Sequence, residues 1–164
     1  MWPKIAFAKG AKMETEKPMH ESYVEMTEFV LPNDANALGT AFGGKIMQWI
    51  DIAASISSMR HSRSLVVTAK MGQLDFLTPV KVGQIVSLQG RVIAVGNTSM
   101  EVQVKIFSED PITGECQHTG TAALTYVAID KEGNKVRVPR LKAETDEEKK
   151  LLQIGMERLK NRKR

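Results

Sequence analysis

Leu31-Pro32-Asn33-Asp34-Ala35-Asn36-Ala37-Leu38-Gly39-Thr40-Ala41-Phe42-Gly43-Gly44-Lys45-Ile46-Met47-Gln48-Trp49-Ile50-Asp51 is the stretch from which the fold is read. Pro32 and the Asn/Asp run behind it mark a turn-rich loop. Helical spacing takes over between Thr40 and Gly43 and is predicted to last to about His61. Phe42, Ile46, Met47, Trp49, Ile50, Ala53, Ala54 and Ile56 cover most of its circumference, as in a buried helix. A narrow seam of Gly44, Gln48, Asp51, Ser55 and Ser58 recurs at steps of four and three and so shares one face. That seam sets a single carboxylate, Asp51, in an otherwise apolar helix.

On either side of this segment the period changes to two. Upstream, Glu21–Leu31 alternates through Val24 and Met26 and is predicted to be a strand. Downstream, Leu65–Leu77 is a second strand, with Gly72 as a bulge, and Gln84–Val95 is a third. Gly96-Asn97 is a tight hairpin signal. Beyond it, Thr98–Ser108 places Met100, Val102, Val104 and Ile106 against Glu101, Gln103 and Lys105. Cys116–Ile129 is the fifth strand, and Val136–Pro139 a short extended exit. Residues 143–163 form a last helix, opened by the capping box Thr145-Asp146-Glu147-Glu148. The expectation is an α+β chain in which an antiparallel five-stranded sheet wraps around one long buried helix, followed by a C-terminal helix. Residues 1–20 read as a flexible lead-in, 21–141 as the domain and 142–164 as a basic helix. Unprotected edge strands imply self-association.

Composition narrows the function. The chain has 164 residues and a net charge of +4, with +2 in residues 1–20, +3 in 142–164 and −1 between them. The basic balance therefore sits in the ends, whereas a nucleic-acid surface needs a basic face on the folded core. No apolar run is long enough for a membrane span, and the N-terminus lacks a secretory pattern. No nucleic-acid or membrane partner and a cytoplasmic location are expected. The lone Cys116 forms no internal disulfide, and no Cys/His cluster suggests a metal.

Three features bear on chemistry. Gly43-Gly44 lie at a helix start, where unpaired N–H groups carry partial positive charge and suit a carbonyl oxygen that becomes an oxyanion. The plain alternative is tight packing of the helix start on a strand. Asp51 is costly in an apolar helix unless it is paired or functional, and is read as a general base or a nucleophile. Asn36 sits in a loop, where Asn often serves turn geometry. Arg60 and His61 end the helix, where cations suit the dipole. No Gly-x-Ser-x-Gly elbow, phosphate loop or dinucleotide fingerprint is present.

Taken together, these residues resemble a known family. Pro32 to Gly44 followed by Trp49-Ile50-Asp51-Ile52-Ala53-Ala54 is similar to the signature of hotdog-fold acyl-CoA thioesterases. The likeness continues through Arg60-His61, Val67-Thr68-Ala69, Asp75-Phe76, Pro79-Val80-Lys81-Val82-Gly83, Val95 to Val102, Tyr126 to Asp130 and Val138-Pro139, covering roughly residues 23–141. The resemblance implies hydrolysis of acyl-CoA to free acid and CoA. Asp51 would be the catalytic carboxylate and Asn36 its helper from the opposite subunit, with a Gly43 or Gly44 N–H polarising the carbonyl. Arg60, His61 and Thr68 would contact substrate, and Arg63 and Lys70 are further candidates for CoA phosphates. It implies a homodimer, assembled further as a hexamer, with no metal or cofactor beyond the coenzyme A of substrate and product. Gly72 stands where family members often carry an acidic residue. The rival on the same fold is a non-catalytic acyl-CoA sensor or carrier module, which could dispense with Asp51.

Overall fold

The alternating stretches do pair as one sheet. In the computed structural model, which describes residues 15–161, the strands are β1 (Glu16–Pro18), β2 (Val24–Phe29), β3 (Leu65–Phe76), β4 (Ile85–Val95), β5 (Ser99–Glu109), β6 (Cys116–Ile129) and β7 (Arg140–Lys142). Five of them form an antiparallel sheet in the order β2-β4-β5-β6-β3. The connections β4-β5 and β5-β6 are hairpins. β3 instead precedes the meander in sequence and closes its far edge against β6. The helices are α1 (Gly43–Ser62) and α2 (Asp146–Asn161).

α1 crosses one face of the sheet. Its Ile46, Trp49, Ile50, Ala53 and Ala54 pack on Val86, Leu88, Val92, Val102, Val104, Ile106 and Leu124, the inward members of each strand's period of two. Gly90 lets the helix come close, since a Cβ there would stand 3.3 Å from the Ala53 carbonyl oxygen. α2 lies on the opposite face, where Leu151 joins Met19 and Ile93 in a second small core. Its capping box forms as expected. Thr145 Oγ1 accepts from Glu148 N–H at 3.1 Å, and the Glu148 carboxylate accepts from Thr145 N–H at 3.2 Å and Glu144 N–H at 2.7 Å. The bulge expected at Gly72 is also present, as a register shift between Met71 and Leu74.

Several boundaries need correction. Residues 1–14 and 162–164, within the expected lead-in and basic tail, lie outside the described residues. Residues 16–20 are not a loose lead-in. β1 pairs in parallel with β7, Met19 is fully buried, and the buried Lys17 ammonium donates to the Arg60 carbonyl at 2.8 Å. That contact satisfies a carbonyl left over at the end of α1. The first long strand begins at Val24, because Met19–Ser22 form a 3-10 turn. Residues 136–139 are extended but bond individually, Val136 N–H to Ala128 O and Val138 N–H to Asn97 O, and the short strand comes after them. Nor is α1 covered all round: Met47, Ile52 and Met59 are exposed. That open stripe and the exposed edge strand β3 both belong to the side of the molecule where Asp51 lies.

Candidate active site

The site is built where α1 meets the inner face of β3 and β6. Asp51 is two turns into the helix and half-buried. Thr68 of β3 and Tyr126 of β6 are directly paired across the strands, so their side chains leave the sheet side by side. Both reach the same carboxylate oxygen. The Tyr126 hydroxyl donates to Asp51 Oδ1 at 2.6 Å, and the Thr68 hydroxyl donates to it at 2.8 Å. The tyrosine oxygen also lies 2.8 Å from the Asp51 carbonyl oxygen. Oδ2 has no hydrogen-bond partner among the described residues, and none of their ion pairs involves Asp51. Burial first, and the hydrogen bond to Asp51 next, push the Tyr126 phenol well above its ordinary pKa of 10.

The helix start carries the second element. Phe42, the N-cap residue, makes no side-chain cap, and the N–H groups of Gly43 and Gly44 have no acceptor among the described residues. A Cβ on either glycine would meet nothing within 4 Å. Close packing on a strand, the plain alternative for this pair, therefore does not explain them, and the space beside them is open. Gly43 borders a cavity of about 320 Å³ lined also by Thr40, Ile46, Phe76 and Val80. Asp34 holds the loop in front of it, accepting from Leu31 N–H at 3.1 Å and pairing with Lys45 at 3.2 Å, while its carbonyl accepts from Phe42 N–H at 2.9 Å.

Asn36 braces the same loop. Its Oδ1 accepts from Leu38 N–H at 2.9 Å and Thr40 N–H at 3.3 Å, and its Nδ2 donates to Thr40 Oγ1 at 3.0 Å. Within one chain it makes no contact with Asp51. The structure thus brings Asp51 and Thr68 together, sets Gly43 and Gly44 at the near end of the helix, and leaves Asn36 apart.

The far end of α1 corrects one expectation. His61 is fully buried, its Nε2 bonded to the Pro139 carbonyl at 2.9 Å, so a CoA phosphate cannot reach it. Burial holds its pKa below the ordinary 6.5. Arg60 donates to the Tyr23 carbonyl beside β2, on the side of the helix away from Thr68 and Tyr126. Arg63 remains available, lining an open cavity of about 630 Å³ together with Lys131 and Arg137. Lys70 borders a different cavity, with Glu101 and Arg158. Thr68, expected to touch substrate, is exposed and bonded to Asp51.

Tyr126 is the partner that residue patterns missed. Its strand reads as apolar, and nothing in a period of two distinguishes a phenol that fills the core from one that also ends on a carboxylate. The pairing of β3 with β6 is the signal that identifies it.

A half-buried carboxylate with one free oxygen can take a proton from water or attack a carbonyl, and unpaired helix-start N–H groups can hold a developing oxyanion. Comparison with known proteins identifies a family. A sequence model of the thioesterase superfamily matches residues 38–126. The uncharacterized acyl-CoA thioester hydrolase YkhA of Bacillus subtilis is 46% identical over 147 residues, 88% of this chain and 86% of that protein. A solved apo-hexameric acyl-CoA thioesterase is similar at a TM-score of 0.87 and 41% identity, over 91% of this chain and 96% of that one. The acyl-CoA hydrolase of Staphylococcus aureus, solved with butyryl coenzyme A, coenzyme A and coenzyme A disulfide, is similar at a TM-score of 0.85 and 37% identity, over 90% of each chain. That hydrolase has also been solved with alanine in place of an asparagine, a threonine and an aspartate.

Proposed function

The chain belongs to the thioesterase superfamily, among its acyl-CoA thioester hydrolases, and on that premise we propose that it hydrolyses acyl-CoA with Asp51 as the reacting carboxylate. The observation that carries this reading is the Asp51 side chain, half-buried in α1 and bonded through one oxygen only. As a general base, Asp51 takes a proton from water as the water oxygen adds to the thioester carbon. The tetrahedral oxyanion then collapses, expelling the CoA thiolate, which receives that proton. As a nucleophile, Asp51 adds to the carbon itself and the C–S bond breaks, expelling CoA as thiolate; water then opens the anhydride at the Asp51 carbonyl, which frees the acid, restores the carboxylate and releases a proton to the thiolate. A single turnover in heavy-oxygen water separates the routes, because only the anhydride route leaves label in Asp51.

The polarising N–H comes from Gly43 or Gly44, and helix geometry supports a shared site. Asp51 lies roughly 10 Å along the axis from Gly44 at about 1.5 Å rise per residue. A carbonyl with its carbon about 3 Å from a carboxylate and its oxygen about 3 Å from an N–H spans less than that. Asp51 of one copy therefore works with the helix start and Asn36 of another. The exposed edge of β3 and the open stripe of α1 are the surfaces on which a second copy docks. The hexameric relative supports further assembly of such dimers. The three substituted residues of the Staphylococcus aureus hydrolase follow the order and spacing of Asn36, Asp51 and Thr68, which supports the choice of residues. Arg63, with Lys131 and Arg137 around the same cavity, takes the role of phosphate partner. The reading carries a cytoplasmic location with it; no helix among the described residues is long and apolar enough to cross a membrane.

The test is thiol release from acyl-CoAs of short to long chain, with wild type and Asp51→Ala side by side. Release that depends on Asp51 is expected. Tight acyl-CoA binding without release makes the protein a sensor or carrier and overturns the reading.

A further inference from the structure

The two oxygens of Asp51 are not equivalent. Oδ1 takes both hydroxyl bonds and Oδ2 takes none among the described residues. We propose that Tyr126, with Thr68 beside it, is a positioning residue that fixes Oδ1 and so reserves Oδ2 for the reacting water or thioester carbon. The proposal rests on Asp51 being the reacting carboxylate.

The geometry suits a clamp better than an incidental contact. The Tyr126 oxygen lies 2.6 Å from Oδ1 and 2.8 Å from the carbonyl oxygen of the same residue. It thus engages Asp51 at two points, backbone and side chain, and limits rotation about the bonds between them. That carbonyl retains a lone pair for the phenol beyond its helical bond. The tyrosine ring is 1% exposed and packed in the main core, so the hydroxyl is held by a rigid body. Thr68 completes the arrangement from the neighbouring strand, in register with Tyr126. An ionised carboxylate offers about four acceptor sites, and the hydroxyls occupy those of one oxygen. Since burial and the carboxylate keep the phenol protonated, it stays a donor wherever Asp51 is ionised. The two hydroxyls are the polar partners of this carboxylate, and no Lys, Arg or His among the described residues pairs with it.

The test compares Tyr126→Phe, Thr68→Val, Thr68→Ser and Asp51→Asn with wild type in thiol release, as kcat and KM. Tyr126→Phe keeps the ring and removes only the clamp. It is expected to lower kcat by about 10- to 100-fold, the scale of a small misplacement of a reacting group, with KM changed less than about two-fold. Thr68→Val shows the same changes to a smaller degree, and Thr68→Ser restores wild-type behaviour. A merely structural hydroxyl would lower the melting temperature and leave kcat alone; that result in folded Tyr126→Phe overturns the proposal. Should Tyr126→Phe not fold, the threonine pair decides: loss in Val with recovery in Ser supports the clamp, and wild-type kinetics in Val overturns it. An active Asp51→Asn defeats the carboxylate reading itself. An inactive Asp51→Asn beside a wild-type-like Tyr126→Phe defeats only the clamp.

Discussion

Mixing two inactive variants gives a sharp test of the shared site. Asn36→Ala and Asp51→Ala are each expected to be nearly inactive alone. Their folds should survive. The Asn36 bonds are confined to one loop, at Leu38 and Thr40. After Asp51→Ala, the Tyr126 hydroxyl keeps the residue 51 carbonyl, 2.8 Å away, as its acceptor. The stability lost at either position is about 1 kcal/mol, that of an ordinary hydrogen bond. In a hybrid dimer one site combines an intact Asp51 with an intact Asn36, while the other site holds both lesions. Random pairing of equal amounts makes about half the dimers hybrid, so about one quarter of all sites are whole and about one quarter of wild-type activity returns. The variants are co-expressed, or exchanged in mild denaturant, and thiol release is measured against each variant alone. No recovery, with hybrid formation verified by two distinct tags, refutes the sharing of the site between copies.

Asp51→Asn should reduce kcat by about 10²- to 10⁴-fold, the range for loss of a general base, while its melting curve stays close to wild type because the amide oxygen still accepts from Tyr126 and Thr68; an active variant refutes the role. His61 links stability to pH. Its pKa is held below 6.5 by burial and its Nδ1 has no partner among the described residues, so the unfolded chain binds the proton more readily. Its contribution is complete above about pH 6.5 and is lost as pH falls below that. Urea midpoints should drop toward about pH 5.5 in wild type and less in His61→Gln; equal drops exclude His61 as the source. Gly155→Val should lift α2 from the sheet, since even a Cβ would stand 2.6 Å from the Ala94 Cβ and 3.0 Å from Ile93 backbone carbon. A loss of about 1–3 kcal/mol is expected from such overpacking, read by thermal or urea unfolding.

Periodicity carried the long elements into view because each buries a single face. Val86, Leu88 and Val92 of β4 alternate, Ile46, Trp49, Ile50, Ala53 and Ala54 of α1 recur at helical steps, and both sets meet in one core. The three-residue pair of β1 and β7 was invisible for the same reason. It is too short to show a period, and Lys17 reads as a solvated charge until the end of α1 is set beside it. In the site, Asp51 stood out as a carboxylate on an apolar helix. Local sequence does not say what a side chain faces. His61 at a helix end looks like a phosphate ligand, yet it is sealed against Pro139. Tyr126 acquires meaning only from the register of β3 on β6, which sets it beside Thr68.

That register also bears on the order of folding. β4, β5 and β6 follow one another through short turns, so their contacts close small loops at little entropic cost. β3 pairs with β6 across the whole of that meander, and the Asp51–Tyr126 contact joins residues 75 apart in sequence. Long loops close late because their entropy must be lost before their contacts repay it. The meander is therefore the part of the chain that can organise first, and the carboxylate meets its hydroxyls only when α1 and β3 arrive. Partial opening reverses this order: the setting of Asp51 against Thr68 and Tyr126 is the last feature the chain acquires and the first it surrenders.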